Sequence, residues 1–232
     1  MTPTAAYDEI ADWYENEFLA RQESADDPIG IRRALNTLLG PGSGPCLEIG
    51  CGTGVYAAQV RSLGWSPLGV DLSAGMLRHA RGRLSAAHGD AARLPVRTGS
   101  MAAVITVMMH TDVPDYAAVL REAARVLTDD GVFVHVGVHP AFNGGFADRS
   151  DQQAIVIRPG YLDGHWTKSS FTSQGVRYKV GATHVPIAEL LASFLDAGLR
   201  FTGFAEGGAP TPTVLAARAT RSRRPRDRPI LF

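Results

Sequence analysis

Apolar and polar positions follow two different periods along this chain, and the switches between them divide it into elements. Tyr7, Ile10, Trp13, Tyr14, Phe18 and Leu19 recur at three- and four-residue spacing among acids, which predicts an amphipathic helix over 7–22. Asp26-Asp27-Pro28 breaks it, and Ile29 to Leu39 reads as a second helix ended by Gly40-Pro41-Gly42. Short apolar runs and helical patterns then take turns. They predict strand 45–49, helix 53–63, strand 66–70, helix 73–83, strands 84–89 and 102–108, helix 113–127 and strand 131–138. The last is entered through the turn signal Asp129-Asp130-Gly131. A helix over Pro186 to Ala197 and strands over Leu199 to Ala205 and Thr213 to Ala219 complete the pattern. Strands alternating with helices imply crossover connections and a mainly parallel sheet, an α/β fold.

The rhythm fails between 139 and 182. This stretch is rich in Gly, Ser and aromatic residues (Phe142, Phe146, Tyr161, Trp166, Phe171, Tyr178) and has no helical period. Segments of this length inside a compact domain are usually functional or disordered, and the aromatic content argues against disorder. It is expected to be an insertion over the C-terminal edge of the sheet, with short strands at 153–158 and 176–181. The end, 221–232, reads as a basic, proline-containing, flexible tail.

Composition narrows the class. At 232 residues the chain suits one α/β domain with some decoration, here 1–220, and is short for two. Its 23 basic and 23 acidic side chains balance, so no global field draws it to nucleic acid or an anionic membrane. No apolar run approaches a membrane span and no leader pattern opens the chain, so a cytoplasmic location is expected. The two cysteines, Cys46 and Cys51, read as small buried apolar residues.

The chemistry concentrates at predicted strand ends. Leu47-Glu48-Ile49-Gly50-Cys51-Gly52-Thr53-Gly54 runs an apolar strand into three alternating glycines, which allow positive φ and close approach of a ligand. Asp71 closes the second strand, and Asp90 closes the third. The spacing departs from the dinucleotide fingerprint, because the third glycine comes one residue early and Val55 holds its place. The loop lacks the lysine of a phosphate-binding loop. Glu48, just before the turn, would repel a pyrophosphate but suit a cation. S-adenosylmethionine fits these demands, with an ammonium, a sulfonium, two ribose hydroxyls, an adenine amine and no phosphate.

On Leu47 to Gly54, on Val70-Asp71-Leu72-Ser73 with Met76, and on Gly89-Asp90-Ala91 with Leu94-Pro95, the chain resembles the class I S-adenosylmethionine-dependent methyltransferases. The likeness is nearest to the small-molecule and natural-product branch, which includes ubiquinone- and menaquinone-biosynthesis enzymes, and it covers roughly residues 30–140. It implies a Rossmann-like, doubly wound, seven-stranded and mainly parallel sheet with the last strand antiparallel. A helical lid (1–40) and a substrate cap (139–182) would decorate it. It also implies a cofactor set. Glu48 orients the methionine ammonium, Gly50, Cys51, Gly52 and Gly54 form the turn, and Met108 ends the fourth strand. Asp71 receives the ribose hydroxyls, Leu72 and Met76 flank ribose and adenine, and Asp90 with the Ala91 amide reads adenine. Tyr7 and Tyr14 either close over the methionine carboxylate or simply pack.

His110 and His139 follow the fourth and fifth strands at the edge where such sheets present ligands, and are the candidates for a catalytic base, His139 before His110. The alternative is that both only line the pocket. The stretch Met109-His110-Thr111-Asp112 lacks the Asp/Asn-Pro-Pro-aromatic box of amine-methylating nucleic-acid enzymes, and Asp112 with Asp115 makes no convincing metal set. The implied reaction is methyl transfer to a small, aromatic or polyketide-like acceptor by a monomer or homodimer. A cyclase using the cofactor structurally, or a non-catalytic cofactor-binding module, are the rival readings.

Overall fold

The computed structural model describes residues 5–23, 27, 30–151, 153–168, 175–208 and 211–221. One sheet of seven strands organises them: β1 (Gly44–Ile49), β2 (Trp65–Asp71), β3 (Ser85–His88), β4 (Met101–Val107), β5 (Leu127–Val138), β10 (Leu199–Gly207) and β11 (Val214–Arg221). Their spatial order is β10-β11-β5-β4-β1-β2-β3. Pairs β1–β2, β2–β3, β1–β4 and β4–β5 are parallel, while β11 runs antiparallel to both neighbours. This is the implied Rossmann-like arrangement. Strand order reverses between β1 and β4, so the loops leaving these two strands diverge and open a crevice at their C-terminal ends.

Period-two alternation sends side chains to two cores, one on each face. Leu47, Ile49, Val104 and Phe133 pack on α5 (Tyr116–Val126) and α7 (Ile187–Asp196) through Leu120, Leu190 and Phe194. Cys46, Ala103, Ile105, Val132 and Val134 face the other way, onto Leu35, Leu38 and Leu39 of α2 (Ile31–Leu39) and Val60 of α3 (Ala57–Ser62). Burying a large aliphatic or aromatic side chain is worth about 1.5–3 kcal/mol, so these two layers hold the sheet and its loops in place.

The N-terminal helix, α1 (residues 6–23), is continuous but uneven, passing from 3₁₀ turns (Ala6–Ile10) through a wide π stretch (Tyr14–Leu19). It docks on α4 (Ala74–Ala80) through its acids. Asp8 accepts from Ser73 Oγ (2.6 Å) and the Gly75 amide (2.8 Å), Asp12 meets His79 (2.8 Å), and Glu15 pairs with Arg83. The helix expected over 73–83 spans Ala74–Ala80: Ser73 is its N-cap, accepting from Met76 N, and Arg81 turns to extended backbone and ends it.

Within 139–182 the structure departs from expectation. Val156–Ile157 forms a two-residue strand, β7, paired with β6 (Ala147–Asp148), not a strand over 153–158. Val176–Val180 is a short helix, α6, not a strand. The alternation Val176, Tyr178, Val180 looks strand-like, but Gly181 (φ +80°) turns the chain and its amide closes on the Arg177 carbonyl at 2.8 Å. Two further short strands, β8 (Trp166–Thr167) and β9 (Ala182–Thr183), pair, and Thr183 N anchors this region by donating to the Thr111 carbonyl at 2.7 Å. β5 starts at Leu127, so Asp129-Asp130-Gly131 lies in an irregular stretch of strand, where the register with β4 shifts. Of the predicted tail, Arg221 ends β11 and 222–232 lie outside the described residues, as does the break at Asp26 and Pro28.

Candidate functional site

The crevice at the β1/β4 switch point is a cavity of ≈ 450 Å³. It brings together the ends of four strands: Glu48 and Gly50–Thr53 after β1, Asp71–Ser73 after β2, Gly89–Ala92 after β3, and Val107–Met109 with Thr111–Asp115 after β4. Tyr7 and Tyr14 close it from α1, and Trp166, Val180 and Gly181 from the insertion. Twelve of the thirteen cofactor residues expected from sequence, the two tyrosines included, are thereby gathered on the lining; the exception is Gly54, which stands behind the loop against Leu84.

The glycine turn is held by the acid of the next strand. Asp71 Oδ2 accepts from Gly52 N (2.7 Å) and Oδ1 from Ser73 N (2.8 Å), which fixes the carboxylate at the rim and leaves each oxygen a further lone pair. Gly52 sits at φ +52°, and a Cβ there would come 3.2 Å from the Met76 methyl, so glycine is needed to turn the amide onto Asp71. Met108, directly after β4, sits at φ +56°, a conformation that costs a non-glycine residue about 1–3 kcal/mol and that concentrates at ligand sites. Asp90 accepts from Ala92 N at 2.8 Å, a turn that presents its other oxygen and the Ala91 backbone to the cavity.

Glu48 is 3 % exposed, and the ion pairs of the described residues leave it out. Burial first, and Asp71 second, push its carboxyl up to about 8 from an ordinary 4.5. The folded chain therefore holds a proton that the unfolded chain releases, and this contribution to stability falls as pH rises from about 4.5 to 8. A cation bound beside Glu48 reverses the balance. At pH 7, calorimetry of S-adenosylhomocysteine binding in buffers of different ionisation enthalpy is expected to show close to one proton released per site. The same titration of Glu48→Gln should lose that release; an unchanged proton count would remove Glu48 from the ammonium site.

Tyr7 donates to Asp112 Oδ2 at 3.0 Å, bridging the lid helix to the β4 loop across the cavity. Depth within the protein raises the Asp112 carboxyl, to about 7, against the lowering effects of Tyr7 and Arg177. Its side chain opens onto the cavity, where water reaches it and moderates that rise.

The two histidines do not join this site. His110 is 1 % exposed and packs edge-on to His135 (5.0 Å) and Tyr116 (5.8 Å). Burial, with Arg177 and His184 nearby, lowers it to about 3, too low for a base working at neutral pH. His139 uses both nitrogens elsewhere: Ala141 N donates to Nδ1 (3.2 Å), and Nε2 donates to Glu206 (3.0 Å). Neither lines the cavity, so the expected base is not found in them. The structure instead brings in Asp112, Tyr56, Ser73 and Trp166, which sequence reasoning left out of the site. Asp112 carried the same strand-end signal as His110, two residues later.

Comparison with known proteins agrees with this geometry. Residues 46–131 match the family described as a methyltransferase domain. The chain is 34 % identical over 113 residues to a malonyl-[acyl-carrier protein] O-methyltransferase of Geobacter sulfurreducens, covering 44 % of this chain and 42 % of that protein. It is 35 % identical over 102 residues to a demethylmenaquinone methyltransferase of Mycolicibacterium gilvum, 44 % of this chain and 45 % of that one. The chain thus spans less than half the length of the curated relatives it matches. A crystal structure of an S-adenosylmethionine-dependent methyltransferase from Mesorhizobium loti superposes with a TM-score of 0.69 at 22 % identity, over 82 % of this chain and 96 % of the other. The fold is the one found in S-adenosylmethionine-dependent methyltransferases, and residues 46–131 match the methyltransferase-domain family. S-adenosylmethionine is the cofactor of those enzymes, and the residues fit it: a buried glutamate that a bound cation would ionise, a rim carboxylate with spare lone pairs, and walls without basic side chains among the described residues.

Proposed function

We propose that the chain transfers a methyl group from S-adenosylmethionine to a small molecule with an apolar, aromatic or polyketide-like body. The observation that carries this reading is the single cavity in which Glu48, the Gly50–Gly52 turn, Asp71 and Asp90 meet under the Tyr7–Asp112 bridge. Glu48 would face the ammonium, Asp71 would accept from the ribose hydroxyls, and Asp90 with the Ala91 amide would take adenine. Leu72 and Met76 would supply the apolar walls. When bound, the cofactor supplies an electrophilic methyl on a positively charged sulfur. The protein's part is alignment, and holding an acceptor in line is worth about 7–11 kcal/mol of barrier. Trp166, Val113 and Val180 offer the acceptor an apolar seat on the insertion side.

Incubation with S-adenosylmethionine and a pooled small-metabolite extract tests this by mass. The expected product is one methyl heavier than its precursor, with equimolar S-adenosylhomocysteine. An isomer of unchanged mass would instead mean a rearrangement on the same fold, and no product at all would mean a binding module.

A further inference from the structure

We infer that Asp112 holds the acceptor and takes its proton, and that the acceptor is a small amine bound as its ammonium ion, an inference resting on the methyl-transfer reading above. Asp112 stands in the β4 loop and lines the cavity, next to Thr111, whose carbonyl accepts from Thr183 N of the strand paired with Trp166. Tyr7 donates to Oδ2 and the Thr111 hydroxyl also bonds the carboxylate, which still leaves two of its four lone pairs for a ligand. The other acid of this loop, Asp115, is spent: Oδ1 caps α5 by accepting from Ala118 N (2.8 Å), and Oδ2 faces Arg121 at 3.6 Å.

The walls decide the sign of the ligand. Among the described residues that line the cavity there is no Lys, Arg or His, whereas Tyr7, Tyr14 and Trp166 present aromatic rings. A carboxylate or phosphate acceptor would meet carboxylates and find no cation. An ammonium finds a carboxylate and ring faces, the two partners that stabilise a desolvated cation. The groups acting on Asp112 are Tyr7 from α1, Arg177 from α6, Thr111 from its own loop and Asp71 from β2. Arg177 does not line the cavity, and its charge favours the ionised carboxylate.

The chemistry balances on these groups. Asp112 removes one proton from the ammonium, and the freed nitrogen lone pair forms the N–C bond to the methyl as its C–S bond breaks, the electron pair staying on sulfur. The carboxyl proton then leaves to solvent. A carboxyl held above the ordinary range by its surroundings is better matched to this transfer than a surface aspartate.

Three probes sharing one apolar body separate the possibilities: 2-phenylethylamine, 2-phenylethanol and 3-phenylpropanoate, titrated calorimetrically into protein loaded with S-adenosylhomocysteine. The amine is expected to bind about 10- to 150-fold tighter than the alcohol or the carboxylate, as one charge-assisted hydrogen bond provides. In Asp112→Asn the preference should fall below about threefold, while the Asn oxygen can still accept from Tyr7, so the affinity for S-adenosylhomocysteine should stay within about threefold. With S-adenosylmethionine instead, amine-dependent S-adenosylhomocysteine release should drop by about 10²–10⁴ in that variant. Absence of amine binding, equal or tighter carboxylate binding, or a preference or rate that survives Asp112→Asn overturns the inference. Failure of wild-type protein to bind S-adenosylhomocysteine would instead overturn the cofactor site beneath it.

Discussion

Removal of residues 1–22 is expected to abolish methyl transfer and to weaken S-adenosylhomocysteine binding by about 10- to 100-fold, while the sheet stays folded. The deletion takes away Tyr7 and Tyr14, which close one side of the cavity, and the Tyr7 bridge to Asp112. A large side chain that covers a ligand contributes about 1.5–3 kcal/mol, which sets the size of the binding loss. Turnover falls further because a lid excludes water and completes the site. The sheet should persist because both cores are built from β-strands, α2, α3, α5 and α7, with α1 outside them. The exposed Ser73–Gly75 turn loses Asp8 but keeps its own Ser73 cap. Calorimetry and circular dichroism of the truncated chain check both halves; native affinity in the truncated protein would deny α1 any lid role.

The second large effect is expected at Asp71. Asp71→Ala should weaken S-adenosylhomocysteine by about 10- to 150-fold, the range of a lost charge-assisted hydrogen bond. Two causes act together. The ribose hydroxyls lose their acceptor, and the Gly52 amide, now held at 2.7 Å by Oδ2, is released, so the glycine turn loses its brace. The unfolding midpoint should move far less than the affinity, since both freed amides belong to residues that line the cavity and not to either core. An unchanged affinity in a folded variant would take Asp71 out of the site.

Much of this was legible because a parallel sheet writes its ligand site at strand ends. Glu48 and Asp71 each stand at the end of a clear apolar run, Asp90 follows a weaker third strand, and all three line the cavity. The same rule could not say which way a side chain turns beyond the strand. His110 turns inward because Gly137 leaves room for it: a Cβ there would lie 2.4 Å from His110 Nδ1 and 2.7 Å from His135 Nε2. Asp112, next but one, turns outward into the cavity. His139 is claimed by Glu206, 67 residues away on β10, a partner no local pattern announces. The lid was readable as an amphipathic helix, but its docking was not. Asp8, Asp12 and Glu15 looked like a solvated face and instead meet Ser73, His79 and Arg83 on and around α4. In the insertion, five residues with strand-like alternation became α6, since glycines at 175 and 181 flank them and the second takes positive φ.

The central claim is that this cavity is built for S-adenosylmethionine and not for a phosphate-bearing nucleotide. Its most direct test is calorimetric titration of the wild-type chain at pH 7 with S-adenosylhomocysteine, alongside NADH. The account predicts one saturable site for S-adenosylhomocysteine and no measurable binding of NADH, whose pyrophosphate would meet Glu48 and Asp71. No binding of S-adenosylhomocysteine, or binding of NADH with comparable affinity, would contradict it.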